Sequence, residues 1–217
     1  MAVEAIIFDM DGVLVDTEPY WLASRTTFAA RLGKSWTMDD QHHAMGRGTV
    51  EWAHVMRERL MIDMPIDEII HQVRGGVLER IAARMPALPG ALEAVHTAAS
   101  ACPVALASGS PTQVINTVMG LTGLDRVFEV IVYGDEIPRG KPEPDIYFEA
   151  ARRLGIAPEC CLGIEDSANG LRALRAARMK VMAVPSPGFT PAPEVLALAD
   201  IVLPSLEAFS LDLIAGF

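Results

Sequence analysis

Asp9 and Asp11 stand two residues apart in Ile6-Ile7-Phe8-Asp9-Met10-Asp11-Gly12, directly behind an apolar run. Two carboxylates at the end of a buried strand repel each other and are costly to bury unless a cation or a phosphorylated group shares the place. Three further segments carry groups suited to it. Ser108-Gly109-Ser110 follows the apolar run 104–107, so a hydroxyl, a glycine amide and a helix N-terminus form a phosphate-sized anion cradle. Taken alone, the tripeptide reads as a helix cap. Lys141 precedes Pro142 in the stretch 139–145, which biases it toward an extended conformation and stiffens a loop able to aim its ammonium group. Singly, it is an ordinary solvated lysine. Glu165 and Asp166 follow the run 161–164, with Ser167 as helix cap and Gly170 in the first turn; Asp166 alone could also be a cap.

The combination carries the chemistry. Magnesium prefers oxygen ligands and usually takes one or two carboxylates plus a substrate phosphate. Asp9 and Asp166 are expected to supply those carboxylates, and Lys141, Ser108 and the Gly109 amide to meet the remaining phosphate charge. Asp9, at the strand end, is placed to attack phosphorus and form an aspartyl phosphate. Asp11 would protonate the leaving oxygen and then activate water.

The elements that must position these groups follow from periodicity. Short β-branched runs at 3–8, 104–107, 130–132, 161–164, 181–184 and 201–203 alternate with helix-period stretches at 91–99, 112–121, 145–154 and 169–177. The alternation predicts an α/β fold with a doubly wound parallel sheet, whose ligands gather beyond the carboxyl ends of the strands. Residues 17–86 break the alternation and read as helical. Thr17 is expected to cap a helix with apolar face Trp21, Phe28 and Leu32 ending at Gly33, and 49–60 and 67–85 read as further helices. The expected organisation is a core domain of 1–16 and 87–217 with a helical cap domain of 17–86. The stretch 185–194 reads as a Pro/Gly-rich loop.

Composition narrows the function classes. The 217 residues are 51% hydrophobic, enough for a sizeable core, and a formal charge of −10 repels nucleic acid and anionic membranes. Neither partner is expected. Three cysteines without a spaced framework argue for a reducing compartment, and no basic n-region or membrane-length apolar run is seen, so a cytoplasmic location is expected. The histidines at 42, 43, 54, 71 and 96 lack zinc-ligand spacing, and no Gly-rich dinucleotide fingerprint follows the first strand.

These motifs resemble the haloacid-dehalogenase superfamily: DMDGVLVDTE its first motif, ASGS its second, GKPEPD its third and GIEDSANG its fourth, in the family's order along essentially the whole chain. Within it the chain is similar to the β-phosphoglucomutase-like subfamily, and DTEPYW, LASGSP and EDSANGLRALRAARM look most like its bacterial sugar-phosphate phosphatases of the 2-deoxyglucose-6-phosphate and hexitol-phosphate type. The resemblance implies a Rossmann-like core with an inserted cap, Asp9 as nucleophile, Asp11 as acid/base and metal ligand through its carbonyl, Ser108 and Lys141 on phosphate, Asp166 on magnesium and Glu165 acting on the metal through water. It also implies a monomer. The mutase's functional histidine falls at Trp21, a departure that favours hydrolysis over phosphosugar transfer; phosphoglycolate phosphatase is the other alternative. The cap is expected to read the rest of the substrate through Arg47 on a glycine-flanked loop, with Trp21, His43 and Glu51 behind it, although Arg47 reads equally as a solvated side chain. A receiver-like signalling module shares the acids, the lysine and the aspartyl phosphate, but needs neither a cap nor a second acid beside the nucleophile.

Overall fold

The computed structural model describes residues 2–44, 48–186 and 190–216. The chain divides into two compact units, Met1–Asp16 with Pro86–Phe217, and Thr17–Met85.

In the first unit the described residues form a six-stranded parallel sheet: β1 (Ala5–Phe8), β2 (Val104–Ser108), β3 (Val130–Tyr133), β4 (Cys161–Glu165), β5 (Lys180–Ala183) and β6 (Ile201–Val202), in the order β3-β2-β1-β4-β5-β6. β1 lies at the centre, and its Ala-Ile-Ile-Phe is wholly buried, as a strand covered on both faces requires. Helices α5 (Ala91–Ala99), α6 (Thr112–Thr122), α7 (Asp145–Leu154) and α8 (Ala168–Ala176) connect or flank the strands. Tyr147, Ala150 and Ala151 of α7 and Leu171, Ala173 and Leu174 of α8 share one core with Ile7, Ala105 and Val181. Register aligns Phe8 with Leu106 on one side and Ile164 on the other, and the Asp9 amide donates to the Ile164 carbonyl at 3.0 Å. The chain order reverses at β1 and β4, so the residues following these strands border the crevice where such sheets bind ligands.

Where the chain leaves and re-enters this unit, the two segments pair. Val15 bridges Ala87 antiparallel, Leu88 N donates to Leu14 O at 2.9 Å, and Asp16 N donates to Pro86 O at 2.9 Å.

The second unit contains α1 (Glu18–Arg31), α2 (Met38–Ala44), α3 (Thr49–Leu60) and α4 (Ile66–Ala83). α1 packs against α4, and Phe28, Met56, Val73, Val77 and Ile81 are buried at helical spacing. Several local expectations need correction. Thr17 occupies the N-cap position with helical backbone angles, and its side chain makes no cap hydrogen bond. Leu32 is 38% exposed, because α1 ends one residue before it and Gly33 turns the chain with φ +68°. The bounds of α2 were unforeseen. Its start is held reciprocally: Thr37 N and Oγ1 each donate to Asp40 Oδ2 at 2.8 Å, and Asp40 N donates to Thr37 Oγ1 at 3.2 Å. Of the expected loop 185–194, residues 187–189 lie outside the described residues, and 193–194 belong to a short helix, α9 (Pro193–Leu196), whose first turn proline favours. Among the described residues, no helix is long and apolar enough to cross a membrane.

Candidate active site

Four strand ends supply the site. After β1 the chain turns sharply, with Leu14 N and Val15 N donating to Met10 O at 2.8 and 3.1 Å and Gly12 N to Val15 O at 2.8 Å. The turn leaves Asp9 at 7% exposure and Asp11 half-buried beside it. Gly12 holds φ +78°, which glycine adopts without steric cost.

β2 ends in Ser108, fully buried, whose Oγ lies 3.4 Å from Asp11 Oδ2 and accepts from Ser110 N at 3.1 Å. Ser110 Oγ donates to the same Asp11 oxygen at 2.7 Å. Asp11 is thus held by the loop that carries the expected anion cradle. Gly109 is exposed there. Ser110, named in that tripeptide, was expected to have no role of its own beyond it.

Lys141 reaches in from the loop between β3 and α7. Its Nζ donates to Asp9 Oδ1 and Glu165 Oε1, both at 2.7 Å, and lies 3.4 Å from the Ala107 carbonyl. The ammonium also sits 5.0 Å from the centroid of the Tyr147 ring. The Lys141–Pro142 peptide bond is cis. Tyr147 was not named in the sequence, where it is one residue of the helix-period stretch 145–154. Its hydroxyl donates to Glu165 Oε1 at 2.8 Å, and the residue is fully buried.

At the end of β4, Glu165 is fully buried and nearly saturated. Oε1 accepts from Lys141 and Tyr147; Oε2 accepts from Asp166 N, Ser167 N and Ser167 Oγ, each at 3.0 Å. Ser167 caps α8 as expected, accepting from Gly170 N at 3.0 Å. With its lone pairs so engaged, Glu165 orients Lys141 and the β4–α8 turn. Asp166 is half-buried and hydrogen-bonded to Ser186.

The electrostatics separate these acids. Burial pushes Asp9 up to about 7, with Glu165 and Asp11 adding repulsion and Lys141 opposing. Burial, with Glu165 and Asp9 nearby, pushes Asp166 up to about 8. Burial would raise Glu165 too, yet the Lys141 charge and the hydrogen bonds from Lys141, Ser167 and Tyr147 hold it below its ordinary value. Burial disfavours the Lys141 charge, but Asp9 and Glu165 more than offset that and hold it well above the usual lysine range. One cation therefore faces three carboxylates.

Ligand oxygens of Asp9, Glu165 and Asp166 lie within 4.8 Å of one another. An all-oxygen donor set with two carboxylates raised toward neutrality fits a hard divalent cation. Asp9 and Asp166 would hold it, and the charge it brings would offset the burial and, after it, the repulsion that raise both acids.

The residues expected to read the rest of the substrate belong to the second unit. Trp21, 7% exposed, packs edge-on to Trp52 with centroids 5.8 Å apart, and the Arg25 guanidinium lies 5.3 Å from both ring centroids. His43 Nδ1 lies 2.7 Å from Asp39 O, and Glu51 accepts from Gly48 N at 3.1 Å, so both serve their own helices. Arg47 lies outside the described residues.

Comparison with known proteins bears on this arrangement. The family model for haloacid dehalogenase-like hydrolases matches residues 3–178. The chain is 32% identical over 218 residues to hexitol phosphatase B of Escherichia coli (strain K12), covering 93% of this chain and 92% of that protein. It is 33% identical over 177 residues to a phosphorylated carbohydrates phosphatase of Thermotoga maritima, covering 80% and 81%. Among solved structures it is similar to CbbY from Rhodobacter sphaeroides in complex with phosphate, with a TM-score of 0.84, 27% identity and coverage of 98% and 99%.

Proposed function

Since the chain belongs to the haloacid dehalogenase-like hydrolases, we propose that it is a magnesium-dependent phosphatase of small sugar or polyol phosphate monoesters, working through an aspartyl phosphate on Asp9. The observation that carries the reading is the division of labour between Asp9 and Asp11. Asp9 lies against Lys141 and near the Asp166 oxygens, whereas Asp11 Oδ2 is held by Ser110 Oγ and lies 3.4 Å from Ser108 Oγ. The first is surrounded as a nucleophile bound to a charged phosphate must be; the second is held where a proton can be passed.

In the first half-reaction an Asp9 oxygen attacks phosphorus, the ester P–O bond breaks, and Asp11 gives its proton to the leaving alcohol oxygen. In the second, Asp11 takes a proton from water, whose oxygen attacks the acyl phosphate and releases inorganic phosphate and the Asp9 carboxylate. Lys141, the Ser108 hydroxyl and the Gly109 amide bind the transferring phosphoryl oxygens. Asp9, Asp166 and the Asp11 carbonyl would hold magnesium, with Glu165 acting through water, and the ion would supply positive charge where an anionic nucleophile meets an anionic ester.

The polyol or sugar reading rests on the named activities of the Escherichia coli and Thermotoga maritima relatives. Trp21, where the mutase resemblance places a histidine, favours hydrolysis. A phosphate-release screen over sugar, polyol and short-chain acid phosphates, with and without chelator, tests the reading. The expected result is metal-dependent release from hexitol or hexose phosphates and none from Asp9→Asn, which also yields no acid-stable phosphoprotein after quenching. Turnover by Asp9→Asn, or isomerised sugar phosphate in place of free phosphate, would overturn it.

A further inference from the structure

The anion cradle is buttressed from the adjacent strand. After β3 the chain makes a single 3-10 turn, Gly134–Glu136. A Cβ on Gly134 would fall 2.7 Å from Gly109 Cα and 3.0 Å from Gly109 C and O, so this turn meets the cradle backbone to backbone. The next residue, Asp135, crosses to the first turn of α6: Thr112 N and Thr112 Oγ1 both donate to Asp135 Oδ2 at 2.9 Å. The third, Glu136, is tied from the other side, with Arg153 of α7 donating to Glu136 Oε2 at 2.8 Å and to Ile131 O at 3.3 Å. The turn is therefore pinned to α6 and α7 while touching Gly109 between them.

The geometry points to Gly134 and Asp135 as positioning residues for phosphate binding: Gly134 sets how deep Gly109 sits, and Asp135 fixes the start of α6 behind Ser108 and Ser110. The inference rests on the phosphatase reading above, in which Ser108 and Gly109 hold phosphoryl oxygens. Neither residue touches the substrate. Their effect reaches it through the backbone of the cradle, whose donors must match phosphoryl oxygens closely, because a misplacement of about 1 Å can cost roughly 10²-fold in rate. A methyl group at Gly134 forces a displacement on that scale, since the 2.7 Å approach is shorter than carbon atoms tolerate. Asp135→Ala leaves Thr112 N and its hydroxyl without their acceptor, whereas Asp135→Asn keeps an oxygen for them.

The test compares wild type, Gly134→Ala, Asp135→Ala and Asp135→Asn by p-nitrophenyl phosphate kinetics, by calorimetric titration with inorganic phosphate in saturating magnesium, by magnesium titration alone, and by thermal denaturation. In Gly134→Ala and Asp135→Ala, the KM and the phosphate dissociation constant are expected to rise about tenfold or more. Magnesium affinity should be unmoved, because its carboxylates leave other strands, and Asp135→Asn should recover most of the loss. A merely structural role would lower the melting temperature and leave phosphate affinity of the folded protein intact. Phosphate affinities of Gly134→Ala and Asp135→Ala within about twofold of a hydrolysing wild type overturn the inference alone. If Gly134→Ala does not fold, the Asp135 pair decides it. A wild type that neither binds phosphate nor releases it from any ester takes down the functional reading and this inference together.

Discussion

Gly12 and Asp166 occupy one another's space: a Cβ on Gly12 would lie 1.9 Å from Asp166 Oδ2 and 2.4 Å from its Cγ. The missing side chain on the β1 turn is what lets the carboxylate from the β4 end come alongside Asp9. Gly12→Ala should therefore act twice, straining a backbone at φ +78° and displacing Asp166. Strain alone costs about 1 kcal/mol or somewhat more, but displacement of a metal-holding carboxylate should weaken magnesium binding far beyond that. The expected pattern is at least a tenfold loss of magnesium affinity by calorimetry with a folded protein by circular dichroism. Unchanged affinity would show that Asp166 does not hold the ion.

Much of this was legible in the chain because the central strands read plainly. β1 and β4 are apolar runs followed at once by acids, and the alternation with helices such as Ala91–Ala99 and Asp145–Leu154 left little choice of sheet. What escaped was set by tertiary contact or by a weaker local signal. Tyr147 is indistinguishable by pattern from a core aromatic, and only the packing of α7 on the sheet brings its hydroxyl to Glu165. Glu165 looked like a second-rank metal acid; its saturation depends on Lys141 and Tyr147 arriving from 24 and 18 residues away in sequence. The bounds of α2 escaped because Met-Asp-Asp-Gln-His-His-Ala has no apolar stripe, although Thr37 three residues ahead of Asp40 was a readable cap. Thr17 erred the other way, a cap by type whose helical backbone angles withhold the hydroxyl from the first turn.

Without metal, Asp9 and Asp166 keep protons that the unfolded chain has given up. Their folded values of about 7 and about 8 stand above the ordinary 3.8. The native state then binds more protons than the unfolded state, so the stability tied to these groups is full below about pH 4 and is lost as pH rises through about 7 to 8. Magnesium competes with the same protons. The melting-temperature increase on adding magnesium should consequently be larger at about pH 8 than at about pH 5.5, and binding at the lower pH should release protons, visible as a buffer-dependent calorimetric heat. Equal magnesium shifts at the two pH values would count against the pair as ligands.

Glu149 carries the opposite sign. Hydrogen bonds from Arg152 and Arg153 hold it down to about 2, against an ordinary 4.5. Its contribution is present above about pH 4.5 and is lost as pH falls toward 2. Both arginines are substantially exposed, so solvent screening keeps the effect within about 1 kcal/mol. Glu149→Gln should lower the melting temperature slightly at neutral pH, with variant and wild type converging in acid. A gap that persists or widens near pH 2 would place the effect elsewhere than in this charge.

Lys141→Met separates the lysine's two duties. The side chain is 14% exposed and bonds both Asp9 and Glu165, so its removal leaves a fully buried carboxylate without its cation. Breaking a buried pair in this way costs about 3 kcal/mol or more. Part of that cost is evaded in acid, because Asp9, raised to about 7, is protonated there and has no charge left unpaired when its partner goes. Chemical denaturation should therefore find Lys141→Met less destabilised at about pH 5.5 than at about pH 8. Catalysis has no such escape. The phosphoryl group loses a positioned cation, and turnover should fall by about 10²-fold or more at either pH. Lys141→Arg should restore charge and much of the stability but little of the rate, since a planar guanidinium does not fit between two oxygens each 2.7 Å from one ammonium nitrogen. Full activity in Lys141→Arg would mean that only net charge matters at this position, and the case for an aimed ammonium would fail.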